Sequence, residues 1–144
     1  MTIEERLRRL EDLEAIKHVT ADYAAAVNWG TGFTVDRERL RSTLSDDIRW
    51  RSAAMNVDLR GRDAVVDAIG QPRPGMTLAL HSFTNPRIEV SGDTATGNWL
   101  LWVATRSDGR TDQVFQREDL TYVRDGSGWR IASIDLHFEA TLNR

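Results

Sequence analysis

The stretch MTLALHSFTNPRIEVSGDTATGNWLLWVATRSDGRTDQVFQREDLTYVRDGSGWRIASIDLHF, residues 76–138, decides the fold. Three turn signals divide it: Ser91-Gly92-Asp93, Ser107-Asp108-Gly109 and Asp125-Gly126-Ser127-Gly128. Glycine and aspartate in these clusters tolerate the backbone angles of tight hairpins, and the runs between them are rich in apolar and β-branched residues. Four runs joined by short turns predict a four-stranded antiparallel meander. Within it Trp99 to Ala104 is apolar at six successive positions, which predicts a strand covered on both faces. Pro86 cannot donate to a ladder, so a bulge is expected near Asn85, where it would bend the strand and re-aim its side chains.

Upstream of the meander the period changes from two to about 3.6. Thr2 followed by Glu5 is a capping-box pattern that starts a helix. Leu10, Leu13, Ile16, Thr20, Tyr23 and Val27 recur at helical spacing, and Ile16, Tyr23 and Val27 form the tight part of the stripe. Ile3, Leu7 and Leu10 lie on another face, suited to packing elsewhere, for instance on a partner chain. Gly30 and Gly32 end this helix. A second helix is expected from about Val35 to Leu44, capped by Thr34. Strands from Ile48 to Ala54 and Val57 to Arg60 follow, then a third helix opened by Gly61-Arg62-Asp63 and closed by Gly70. Pro72 and Pro74 make the next segment a loop. Helices first and sheet last give the α+β class.

Composition narrows the function. At 144 residues the chain has the length of one domain, expected to span 1–144, and enough core to enclose a cavity. The net charge of −3, with both signs interspersed, gives no electrostatic footprint for nucleic acid. The absence of cysteine removes disulfides, thiol nucleophiles and thiolate metal sites, and fits a reducing cytoplasm. The charged start, Met1 to Arg6, predicts no signal peptide, and no apolar run is long enough for a membrane span. Dinucleotide, phosphate-loop, zinc-protease and nucleophile-elbow motifs are absent. No metal or organic cofactor is expected, and the expected partner is a small molecule.

His81, among Leu78, Leu80 and Phe83, is the residue best suited to chemistry. It reads either as a core histidine satisfied by a backbone carbonyl or as a base near neutral pH held by a neighbour. His18 faces away from the helix stripe and reads as solvated. Asp135, His137 and Glu139 share one strand face, either as a polar or dimer-facing edge or as a metal or proton-relay trio; Ile134, Leu136 and Phe138 form the apolar face. Tyr23 and Asn28 come from the first helix and its end. Trp50 and Trp102, with Phe83, could wall a pocket for an apolar ligand.

Order and spacing carry a resemblance: Leu10-Glu11-Asp12-Leu13-Glu14-Ala15-Ile16 running into Asp22-Tyr23, then Leu44 to Trp50, Arg60 to Val65, His81 leading to Ile88–Ala95, and Gly128-Trp129-Arg130-Ile131. Over about residues 8–138 the chain resembles the SnoaL-like branch of the nuclear transport factor 2-like superfamily. The resemblance implies a cone, a curved sheet around helices with a pocket open at one end, and dimers through the sheet. It points to dehydratase and dehydrochlorinase members that use an Asp–His pair. On that pattern His81 is the base, Tyr23 the hydroxyl that helps it and Trp50 a pocket wall, while Asn28 stands where the pattern has aspartate.

Asparagine can orient an imidazole but carries no charge to stabilise imidazolium. Three outcomes follow: His81 works with help from Asn28, another carboxylate such as Asp22 or Asp135 approaches it, or the pocket binds without catalysing. The expected function is therefore a lyase or isomerase acting by His-mediated proton abstraction, with a non-catalytic binding module as the alternative.

Overall fold

Thr2 accepts from the Glu5 amide while the Glu5 carboxylate accepts from the Thr2 amide, and this reciprocal cap starts α1 (Ile3–Ala26). The computed structural model describes residues 1–142. After α1 come α2 (Arg37–Thr43), β1 (Leu44–Ser52), β2 (Val57–Arg60), α3 (Arg62–Ile69), β3 (Met76–Ser91), β4 (Thr94–Ser107), β5 (Arg110–Asp125) and β6 (Gly128–Leu142). The protein is α+β: helices come first, and an open, curved six-stranded sheet follows in the order β2-β1-β6-β5-β4-β3.

The meander expected from the turns is present, with β3 to β6 antiparallel in chain order. What the turns did not announce is that β1 lies parallel to β6 and joins the β1–β2 hairpin to the far edge of the meander. Asp36, not Thr34, caps α2, accepting from the Arg39 amide, so that helix starts two residues later than expected. β1 begins at Leu44, four residues earlier than expected. The bulge in β3 falls between Thr84 and Arg87, with Asn85 at φ 52°, a conformation asparagine tolerates better than most residues.

Side chains alternate across the sheet, and the helices cover one face only. Along β4, Ala95, Trp99, Leu101 and Val103 are buried against them, while Leu100 and Trp102 point outward. The apolar run of β4 is thus not buried on both sides, because no second layer covers the outer face. The core is built from Ile16, Tyr23 and Val27 of α1, Leu40 of α2, Val65 and Val66 of α3, and the inward residues of the strands. Ile3, Leu7 and Leu10 stay exposed on the first turns of α1.

One half of the inner face is closed by polar groups that satisfy one another. The Tyr122 hydroxyl lies 2.8 Å from Thr20 Oγ1 and accepts from Trp99 Nε1 at 3.0 Å. Asp12 accepts from Trp129 Nε1 at 2.9 Å and pairs with Arg124. Gly97 makes room for this cluster: a Cβ there would sit 2.8 Å from Trp99 Nε1 and 3.0 Å from the Tyr122 ring. The other half stays hollow.

Candidate functional site

The hollow half holds a cavity of about 430 Å³, within the range of small-ligand sites. Its inner wall includes Tyr23, Trp50, Leu101, Glu118 and Leu136, and Arg73 and Phe138 are among its exposed lining residues. These positions follow from the pleat: Glu118 pairs with Leu136 on β6, so both face inward, and the residues next to them face out.

The end of α1 is tied to β3. Trp29 and Ala79 exchange backbone hydrogen bonds of 3.1 and 3.0 Å, an isolated antiparallel bridge. This places Asn28 beside His81. The His81 backbone N–H donates to Asn28 Oδ1 at 2.8 Å, and the ring Nδ1 lies 2.9 Å from the same oxygen. The backbone bond fixes which amide atom faces the ring. An acceptor there requires Nδ1 to carry the proton, so Nε2 is left with its lone pair. Asn28 therefore performs the orienting part of an aspartate's work without its charge.

The ring is neutral for a second reason. Desolvation by the surrounding side chains, followed by the positive charge of Arg73, lowers the His81 pKa from 6.5 to about 4. Neither alternative carboxylate reaches it. Asp22 lies 3.5 Å from His18 on the exposed side of α1, and Asp135 pairs with Arg51. The Asp135-His137-Glu139 face points away from the cavity, and its members are separated by their partners: Arg51 for Asp135, Asp119 for His137 at 3.0 Å, and Arg117 for Glu139 at 2.6 Å. Among the described residues no group of three His, Asp or Glu side chains could hold a metal ion.

Tyr23 accepts from Trp50 Nε1 at 3.1 Å inside the cavity wall. Burial, then the proximity of Glu118, pushes its phenol well above the ordinary range, so it remains a proton-bearing donor. Trp50 thus both walls the cavity and aims the tyrosine. Phe83 lies behind this wall, edge-on to Tyr23 and to Trp99, and lines a second groove between α1 and β3 with Asn28, Ala24 and His81, which borders both. Trp102 does not line the cavity; it is 52% exposed on the outer face, stacked edge-on against Phe115. Assigning it to the wall overlooked the strand pleat, since Leu101 and Val103 on either side are the inward residues.

The residue missed by sequence reading is Glu118. It is 2% exposed, its Oε2 has no hydrogen-bond partner, and burial raises its pKa from 4.5 to about 8. The signal was available in the alternation of β5: Glu118, Leu120 and Tyr122 share one parity, and two of the three are plainly core residues.

No curated protein sequence matches this chain. Among solved structures it is similar to the hexachlorocyclohexane dehydrochlorinase LinA-type3 from Novosphingobium barchaimii, at 20% identity, with 96% of this chain and 94% of the other covered and a TM-score of 0.82. An NTF2-like protein with a cystatin-like fold from Novosphingobium aromaticivorans has 24% identity over 94% and 87% of the two chains, with a TM-score of 0.78. A scytalone dehydratase-like protein from the same organism has 20% identity over 94% and 89%, with a TM-score of 0.75. At these identities the likeness is one of fold. The SnoaL-like domain family matches residues 8–135, nearly the whole chain, and the protein belongs to that family.

Proposed function

We propose that this chain is a dehydratase-like lyase or isomerase that removes a proton from a small, largely apolar, oxygenated molecule without a metal or organic cofactor. The observation that carries the reading is the oriented, neutral imidazole of His81 at the cavity wall, with Nδ1 held by Asn28 and Nε2 left to accept a proton. Tyr23, supported by Trp50, donates a hydrogen bond to the developing oxyanion or departing oxygen. Structural neighbours that bear dehydrochlorinase and dehydratase names lend the reading support. A panel of secondary alcohols and halides bearing an adjacent acidic C–H tests it. The wild-type protein eliminates from one of them, and a folded His81→Ala variant loses about 10²–10⁴-fold in turnover. Turnover that is unchanged in that variant refutes the assignment.

The second reading, a ligand-binding module, is favoured by one observation: His81's side-chain partner is an amide, not a carboxylate. On that reading a ligand binds His81→Gln as tightly as the wild type, and no compound of the panel is consumed. We place the protein in the cytoplasm and propose that it pairs with a second copy through the outer face of the sheet. Leu80, Leu100 and Trp102 are exposed on that face.

A further inference from the structure

Among the described residues Glu118 is the one acidic side chain of the cavity wall, and no hydrogen bond or ion pair among them accounts for it. Its neighbours in the ladder are Trp99 and Leu136, both buried and apolar. Among the described residues no arginine, lysine or histidine pairs with it, whereas Asp135 and Glu139 on the outer face pair with Arg51 and Arg117, and Asp12 is closed by Arg124. A buried carboxyl that serves only structure finds a donor or an acceptor; Glu118 lines the cavity with a buried oxygen that has neither, so its hydrogen-bonding capacity is unspent within the protein. Gln116, two residues along the same face, repeats the pattern, with a buried Oε1 that has no partner.

We propose that Glu118 selects the ligand: it is the hydrogen-bond donor at the inner end of the cavity and receives the acceptor oxygen, a carbonyl, of an uncharged and otherwise apolar molecule. The proposal deepens the lyase or isomerase reading and names the substrate class of the same site. Burial holds the carboxyl in its acid form at neutral pH, so it offers an O–H where a carboxylate would offer only acceptors. Asn28 adds no charge beside His81, and Arg73 stands among the exposed lining residues. The inner end is therefore neutral. An ammonium group finds no counter-ion there, and a carboxylate must shed its water while the cavity's one cation, Arg73, stands on the exposed part of the lining. A carbonyl oxygen held by Glu118 is also polarised, which acidifies the adjacent C–H that His81 would take.

The test uses three probes of one size: acetophenone, benzoate and benzylamine. Acetophenone binds the full-length wild-type protein at pH 7 at least ten-fold more tightly than either charged probe, and its bound C=O stretch is lowered by hydrogen bonding. In Glu118→Leu the stretch returns to the frequency seen in hydrocarbon and affinity falls about ten-fold. In His81→Ala the C=O stretch stays lowered. The isosteric Glu118→Gln variant guards against misfolding: the infrared difference between it and the wild type contains a carboxylic-acid band at pH 6 that disappears above about pH 8. Preference for benzylamine, failure of acetophenone to bind the wild type, a carboxylate band at pH 6, or a carbonyl shift abolished by Tyr23→Phe but kept in Glu118→Leu would each overturn the proposal. The two readings fail separately. If no panel compound is eliminated while these signals hold, the lyase reading falls and Glu118 remains the ligand's donor.

Discussion

The inner face of the sheet has two halves that treat buried polar groups in opposite ways. In the closed half, Tyr122 has both Thr20 and Trp99, and Asp12 has both Arg124 and Trp129. In the hollow half, Tyr23 has Trp50 alone, and Glu118 has an oxygen with no partner. The same residue types occur at similar depth in both, so burial alone does not distinguish structure from function. Completeness of partnering does. A satisfied network fixes the fold, whereas an unsatisfied one leaves capacity for a ligand.

The contrast can be broken by titration and mutation. The largest effect is expected at Glu118. Below about pH 4.5 folded and unfolded chains both hold its proton. Between 4.5 and about 8 the unfolded chain ionises while the fold retains the proton, so stability falls as pH rises through that window. Glu118→Gln removes this loss, and urea melts should show a gain of about 2–4 kcal/mol at pH 8.5 that shrinks to near zero at pH 4. A variant equally stable or less stable at pH 8.5 would place Glu118 with the satisfied groups. His81 acts in the opposite direction. Between about 4 and 6.5 the unfolded chain binds a proton that the folded ring refuses, so its contribution is lost as pH falls; an NMR titration should find the ring neutral at pH 5.5.

In the closed half Asp12→Ala should cost about 2–3 kcal/mol. That is less than the ~3–5 of a fully buried pair because Arg124 keeps Asp93 and the Gly92 carbonyl. Smaller still is the difference between the two tyrosines. Tyr122→Phe leaves a buried indole N–H without a partner and should cost about 1–3 kcal/mol, whereas Tyr23→Phe, beside a cavity that water can enter, should cost under about 1. Equal losses in thermal unfolding would erase the distinction between the halves. The smallest change in stability, within about 0.5 kcal/mol, is expected for Trp102→Glu on the outer face. Its readout is mass in solution: sedimentation should show the wild type as a dimer and the variant as a monomer.

Much of this arrangement was legible in the sequence. The meander, the β2 hairpin strand, the closing of α3 by Gly70 and the bulge at Asn85 each rest on local chemistry, the reach of a turn residue or the missing N–H of Pro86. The family resemblance placed Tyr23, Trp50 and His81 in one region, and all three line one cavity. Local rules could not supply the parallel pairing of β1 with β6, because it joins residues more than 80 positions apart and has no signature of its own. They also failed for Trp102 and Glu118, by the same mechanism. Trp102 was read by residue type as wall and Glu118 was passed over, when the parity of each strand already placed the tryptophan outside and the glutamate inside.

β6 occupies the middle of the sheet, between β1 and β5, although it follows all five other described strands in chain order. During synthesis the β1–β2 hairpin and the three earlier meander strands therefore wait as two separate edges with nothing to join them. Both present open backbone until residues 128–142 emerge. The two parts of the sheet thus join only once β6 is made. A stall that delays residues 128–142 would expose more sticky edge than the same delay imposed on an earlier strand.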